Sequence, residues 1–507
     1  MLRLPDLHIL EHRELVLAAA ACLGLGAVIR AYHTTGSKLP IPPSPPSAGL
    51  LGYVLPTHKS YLTVEKWIEE LGPVISFRSG TRRIVIIGRH KAAVDILEKQ
   101  GGVSNDRPSM ISTGDMLSGG QSIAFSHAGD RVHQMRRALH SHLGPRVVDL
   151  YEPIQLSYAK HAVVDILDDP SKFQNHTLTF MASVVMRVAY GKTERTFSGD
   201  PELKDARQRL EALGKSQRPG AYLVDSLPWL KHIPWYGKAL RREFENGKKV
   251  YLAQLNQVKQ QIQRNEDVNP SFAKFMLENE HSYQFTELEM AWLVGGLLLA
   301  IHSTSVALCT IFMSAALHPE EQAKVQAELD AVIGRNRVPT FEDENSLPRL
   351  RAFVLECQRW RPSAPEGMPH RTTKDVIWEN YCIPAGTTVF GNHWAISRDP
   401  DVFPDPEAFK PERWLNDQGE LRTDLKFYTF GFGRRVCPAQ HLVPRSMFIH
   451  TLFILWAFQI NLDRTKPVHD MVYMNGVVPD VQPYAVQFET RVPEQTLRRM
   501  VQDSEVA

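Results

Sequence analysis

No cysteine pairing of the kind that builds a disulfide framework or a zinc site is present: the five cysteines stand at 22, 309, 357, 382 and 437, with no CxxC among them. That spacing excludes a small disulfide-stapled scaffold and fits a reducing compartment. Excess charge is missing as well. Lys plus Arg number 58 against 56 Asp plus Glu, a net charge of +2, so nucleic acid is not an expected partner. No internal repeat appears, and the composition does not change after residue 50, which excludes a solenoid and argues for one large domain over 51–507. With 43% hydrophobic and 22% charged residues, the chain is a globular sequence and not a disordered one.

What opens the chain is an uncharged apolar run, residues 15–29 (LVLAAAACLGLGAVI), followed by the Pro-rich stretch 39–46 (LPIPPSPP). The run is short for a spanning helix, which needs about 20 apolar residues, and at the upper end of a secretory core of about 7–15. A semi-rigid proline spacer after it and the cysteine usage favour a retained anchor over 1–35 with a hinge over 36–50. Arg3 and Arg13 on one side match Arg30 and Lys38 on the other, so charge counting leaves orientation open.

After the spacer, residues 74–77 and 83–87 read as a strand pair around Gly80, and 376–389 as a second strand region turning at Glu379 and Asn380. Helical periodicity runs through 89–99, 130–143, 151–168, 175–190, 240–264, 286–317, 319–333 and 348–360. The predicted class is mainly α with a minor β-sheet. In 286–317, Thr286 and Glu289 form a capping box, His318-Pro319 stops the helix, and roughly 48 Å of continuous helix is expected at 1.5 Å per residue. Its middle is apolar nearly all round, so it belongs at the centre of the protein.

The sharpest local signal is 430–439, FGFGRRVCPA. Gly431 and Gly433 permit a tight loop against something flat, and Arg435 offers a cation two residues before a thiol. Pro438 reads as the first residue of a helix, which puts Cys437 at a helix N-terminus where amides and the dipole favour a thiolate. A buried structural cysteine is the alternative for the motif alone.

This stretch resembles the cysteine loop of the cytochrome P-450 family, FxxGxRxCxG, at Phe430, Gly433, Arg435 and Cys437, with Ala439 in place of the last glycine. Other family features follow the same order along the chain. Glu356 and Arg359 form an ExxR pair, and Pro411-Glu412-Arg413-Trp414 resembles the PERF element whose arginine joins that pair in a buried network. The oxygen-binding signature AGxDT aligns with 300–304, where Thr304 is kept, Ser303 replaces the acid and Ile301 the glycine. His302 is there either as a compensating proton relay or as a hydrogen-bonded structural residue. Residues 130–137 resemble the WxxxR helix, with Val132 for Trp and Arg136 retained.

The resemblance implies the cytochrome P-450 fold, haem b with Cys437 as axial iron ligand, and a propionate site made by Arg136, His370, Arg371 and Arg435. It further implies O2, a lipophilic small-molecule substrate and electrons from an NADPH-cytochrome reductase docking on Arg131, Arg136, Arg137 and Arg434. Location on the endoplasmic reticulum membrane with a cytosolic catalytic domain, and a role in fungal secondary metabolism, belong to the same expectation. Substrate contacts are expected from 104–125, from 215–237 with Trp229 and Trp235, from Leu297 and Ile301, and from 364–368. Two other readings stand beside monooxygenation: a haem-thiolate isomerase or dehydratase using no external electrons, and a non-catalytic haem-binding relative. Pro444, about two turns after Cys437 on this reading, is expected to kink the helix.

Overall fold

The computed structural model describes Leu17, Ala19 and residues 37–46, 52–218, 220–466, 468–471 and 484–503. Apart from those first two residues, the apolar run 15–29 lies outside the described residues. The longer elements, in chain order, are α1 (Ser60–Leu71), β1 (Val74–Ser79), β2 (Arg82–Ile87), α2 (Asp130–Leu143), α3 (Glu152–Asp168), α4 (Phe173–Tyr190), α5 (Pro201–Ser216), α6 (Lys238–Gln263), α7 (Glu287–Gly295) and α8 (Ala300–Leu317). Then come α9 (Pro319–Val332), α10 (Pro348–Trp360), β3 (His370–Arg371), β4 (Val376–Trp378), β5 (Tyr381–Ile383), β6 (Thr388–Gly391), α11 (Leu442–Ala457), β7 (Phe458–Leu462), β8 (Val486–Thr490) and α12 (Glu494–Asp503).

The expected strand pair forms: β1 and β2 are antiparallel, with Val74 opposite Ile87 and the turn carried by Gly80 at φ +58°. The four-stranded sheet continues in the order β1-β2-β6-β3, with β6 parallel to β2. Because β6 and β3 arrive some 300 residues later than β2, this sheet ties the first part of the domain to the loop between α10 and the cysteine turn. The hairpin β4–β5 turns at Glu379, whose φ of +50° a non-glycine residue rarely adopts.

The central helix sits where its all-round apolarity requires. Fourteen of the 18 residues of α8 are buried, and it packs on α4, α9, α10, α11 and β7. The stretch Glu287–Leu317 is long and apolar enough to cross a membrane, but this burial makes it a core helix. It is not one uninterrupted α-helix, as the periodicity predicted. Gly296–Leu299 tightens to a 3-10 turn between α7 and α8. Two adjacent glycines lower helix propensity there, and the Tyr251 ring of α6 lies so close to Gly295 that a Cβ would meet it at 2.4 Å. The capping box is present, with Glu289 N–H donating to Thr286 Oγ1 at 3.2 Å and Thr286 N–H to Glu289 Oε2 at 2.8 Å.

Two expectations around the thiol are corrected. Pro438 does not open a helix: residues 438–441 form a turn and α11 begins at Leu442. Leu442 N–H closes a tight i→i−3 turn on Ala439 O, and Val443 N–H, bonding the same carbonyl, makes an i→i−4 bond there as α11 begins at Leu442, so the helix begins four residues after Pro438. Pro444 therefore lies in the first turn of α11, where a missing N–H leaves no intrahelical bond unmade, and no kink is needed. The helices α1, α5 and α12 were missed by the periodicity, although Pro201 after Asp200 is a legible start signal for α5.

Candidate active site

The loop before α11 is closed on itself. Cys437 N–H donates to Phe430 O at 2.8 Å, and Gly433 N–H to Glu98 Oε1 at 2.6 Å. Gly433 has φ +52°, and a Cβ there would stand 2.4 Å from Leu97 O, so the close approach of two backbones fixes this position as glycine. Phe432 is buried and packs against Tyr428 and His393. The half-buried Cys437 thiol feels three influences: burial pushes its pKa up, while the Ala439 N–H and the Arg136 guanidinium favour the thiolate.

Beside the thiol, three guanidiniums converge. Arg136 donates to Val436 O at 2.8 Å, and buried Arg435 donates to Asn105 O, Ile123 O and Ser126 O. Arg107, also buried, donates to Ala124 O at 3.0 Å and to Pro369 O. Among the described residues none of the three hydrogen-bonds a carboxylate. Burial, and then the charges of Arg435 and Arg136, hold the Arg107 pKa well below the usual arginine range. Burial and Arg136 do the same to Arg435. Mutually repelling buried cations bonded only to carbonyls form a site for a multiply charged anion.

Arg371, expected in this cluster, is committed elsewhere, bonding Asp106 through Nε at 2.7 Å. Arg107 stands in the cluster instead. His370 is held neutral by burial, which drops its pKa to about 3 together with the charge of Arg107, and its Nδ1 lies 2.9 Å from Ser104 O. A carbonyl only accepts, so Nδ1 carries the proton and Nε2 is left as an acceptor. The cationic donors are thus the three arginines.

The loop is braced from behind. Glu356 receives Arg359 Nε at 2.8 Å and Nη2 at 2.7 Å, Arg413 Nε at 3.2 Å, Trp414 Nε1 at 2.9 Å and the Lys410 N–H at 2.8 Å. Both Glu356 and Arg359 are 0% exposed. Arg359 spends its remaining donors on the carbonyls of Ser397, Pro406 and Ala408, which pins residues 397–408 to α10. The structure brings together the three residues named from the sequence and adds Trp414 and the Lys410 amide.

On the central helix, Ser303 Oγ and Thr304 Oγ1 both donate to Ala300 O at 3.1 Å. Buried His302 lines a cavity of about 380 Å³ that runs between α1, β2, α5 and the turn at 366–369. Of the expected substrate contacts, Met110, Lys215, Gln217, Arg218, Glu366 and Gly367 line it; Leu297, Ile301, Trp229 and Trp235 do not. Trp229 and Trp235 are 59% and 67% exposed and stand on the surface with Leu223 and Leu227. Pro369 joins the two halves of the site, lining the cavity while its carbonyl receives Arg107. Of the four arginines expected on a docking face, Arg131 is ion-paired with Glu289 and Arg136 turns toward the thiol, leaving Arg137 and Arg434 exposed.

This arrangement fits haem b: a thiol for the iron, guanidiniums for two carboxylates and an apolar cavity alongside. Comparison with known proteins points the same way. The family model for Cytochrome P450 matches residues 42–488. Cytochrome P450 monooxygenase 113 of Postia placenta is 43% identical over 94% of this chain and 98% of its own length. Cytochrome P450 monooxygenase 64 of the same fungus is also 43% identical, over 94% and 96%. Cytochrome P450 monooxygenase FrzL of a Cladobotryum species is 32% identical over 94% and 91%. With its thiol, its arginines and its ExxR brace in one place, and relatives matching almost end to end, the chain belongs to the cytochrome P450 family of haem b monooxygenases.

Proposed function

We propose that this chain is a membrane-attached, NADPH- and reductase-dependent monooxygenase that inserts one atom of O2 into a lipophilic small molecule of fungal secondary metabolism, with the Cys437 thiolate as the group that would hold the haem iron. The observation that carries the reading is the half-buried thiol beside Arg107, Arg136 and Arg435, three cations of which none hydrogen-bonds a carboxylate among the described residues, next to an apolar cavity. Bound there, haem b supplies the iron at which O2 is activated toward an unactivated C–H bond.

The chain's own residues do the rest. The Ala439 N–H and Arg136 favour the ionised sulfur, and the closed loop 430–437 keeps it in one position. Arg107, Arg136 and Arg435 bind the propionates; Glu356, Arg359 and Arg413 hold the loop; His370 positions the Ser104 backbone. Val64, Ile84, Ile86, Met110, Leu210 and Phe390 exclude water from the substrate. Ser303 and Thr304 handle protons: each hydroxyl hydrogen points back to Ala300 O, leaving oxygen lone pairs to receive one. Exposed Leu223, Leu227, Trp229 and Trp235 support contact with a membrane surface in addition to the expected 1–35 anchor on the endoplasmic reticulum. The reductase is assigned to the face bearing Arg137 and Arg434.

The test is the reduced, CO-bound difference spectrum of membranes from cells expressing the chain. A strongly red-shifted Soret band is expected, together with product formation that requires both NADPH and reductase; turnover without either partner would favour the isomerase reading. Because Ser303 and Thr304 share one acceptor, the double variant Ser303→Ala/Thr304→Ala is expected to release severalfold more peroxide per NADPH than wild type, each single variant less. Unchanged coupling in the double variant would mean that protons arrive by another route.

A further inference from the structure

One charged side chain in the cavity wall has no part in the mechanism above. Glu366 lies in an otherwise apolar stretch of lining formed by Val64, Ile84, Ile86 and Phe390. The Ser60 hydroxyl donates to its Oε1, and Ser60 is its one hydrogen-bond partner among the described residues. The turn that carries it is locked from both sides. Gly367 N–H donates to Ala364 O at 3.1 Å and Trp394 N–H to Pro365 O at 2.9 Å. A Cβ on Gly367, at φ +70°, would sit 2.3 Å from Gly391 O. The carboxyl is therefore presented to the cavity from a fixed turn, with one oxygen engaged and capacity left over. A buried polar group in such a wall is costly unless something bonds it.

We infer that Glu366 is a specificity-determining residue that hydrogen-bonds a hydroxyl group on an otherwise apolar substrate. Three observations choose the hydroxyl. Among the described residues no cation pairs with the carboxyl, and burial disfavours its charged form. In either protonation state its free oxygen accepts a hydrogen bond from a neutral O–H, and an alcohol can also accept from the acid when it is protonated. Lys59, Arg207, Lys215 and Arg218 also line the cavity, and against them stands one further carboxylate, Glu211; the exposed members Arg207, Glu211, Lys215 and Arg218 leave an excess of positive charge, which disfavours entry of an amine. The substrate class is then an alcohol on a hydrocarbon skeleton small enough for about 380 Å³. Chemically it is the product of a prior hydroxylation or of a water-quenched hydrocarbon cyclisation, further oxidised here at a carbon away from the existing hydroxyl.

The inference rests on the cavity being the substrate site, and the experiment separates the two. The haem-loaded full-length protein is titrated with 1-decanol, with 1-fluorodecane as an isosteric partner lacking the hydroxyl, and with decanoate, the Soret shift reporting binding. Wild type is expected to bind the alcohol about tenfold tighter than the fluoride, the difference one well-placed hydrogen bond makes. Glu366→Leu should abolish that preference while leaving fluoride affinity unchanged, and Glu366→Gln, which still donates and accepts, should keep most of it. A preference that survives Glu366→Leu, or equal binding of both probes by wild type, would overturn the role of Glu366 and leave the cavity intact. Tightest binding of decanoate would overturn it in favour of the cationic mouth. No spectral response to any probe would overturn the cavity assignment, and the inference with it.

Discussion

Cys437→Ala is expected to abolish the thiolate signature outright: the reduced, CO-bound Soret band loses its strong red shift, and NADPH-dependent product formation falls to background. The fold should survive, because the loop is closed by bonds that the substitution leaves in place, Cys437 N–H to Phe430 O at 2.8 Å and Gly433 N–H to the Glu98 carboxylate at 2.6 Å. No other described cysteine can substitute. Cys309 and Cys357 are buried within the helical core and Cys382 within β5, and burial pushes all three thiols up, Cys309 to about 12, whereas Cys437 has the Ala439 amide and Arg136 to favour its ionised form. Cys437→Ser, which keeps size and offers oxygen, separates ligation from packing: it too should lose the red shift while retaining some haem. An unchanged CO-bound spectrum in Cys437→Ala would remove the central claim, since the iron would then be held elsewhere.

Glu356→Ala is expected to give little or no haem-loaded protein. The substitution strips the partner from two guanidiniums, one of them on a fully buried side chain, and orphans the Trp414 indole N–H and the Lys410 amide at once. Breaking a buried ion pair by removing one partner costs about 3–5 kcal/mol, against a typical total stability of roughly 5–15 kcal/mol. Haem retention should suffer most, because Arg359 anchors the 397–408 segment that leads into the cysteine loop. Glu356→Gln, which keeps acceptors and drops the charge, should lose less. Glu412→Ala, two residues into the same Pro411–Trp414 element, is the matched control: Glu412 pairs with Lys324 across an exposed pair, worth about 0–1 kcal/mol. Haem content per folded protein and the thermal midpoint measure both effects. Equal losses from Glu356→Ala and Glu412→Ala would mean that the buried network does not brace the site.

What could be read in advance was what depends on neighbours close in sequence. The strand pair around Gly80, the capped start at Thr286, the buried central helix and the ExxR pair one turn apart each follow from side-chain period, a cap or a turn residue, and these are properties of a few adjacent positions. The local pattern ran out at the helix start after Cys437. Proline is common at the first helical position, but whether it begins a helix depends on where the following amides bond, and here they return to Ala439. The central-helix motif shows a similar limit. Its letters put the lost acid at Ser303, while the helix phase turns His302, about 100° away, into the cavity.

The sequence by itself determined the haem-thiolate class, since the cysteine loop, the ExxR pair and the PERW element keep their order and spacing, and determined the mainly helical fold with its small sheet. Only the tertiary structure decided which arginines gather beside the Cys437 loop. Arg107 meets the Pro369 carbonyl 262 positions away and Arg371 meets Asp106 across 265, so Arg107, to which the motifs give no role, stands where the resemblance puts Arg371. It likewise decided that, of the expected substrate contacts, Glu366 lines the cavity while Trp229 and Trp235 do not. Charge and shape complementarity at a site are set by which chain segments meet in space, and that meeting is a property of the packed whole, which no window along the chain contains.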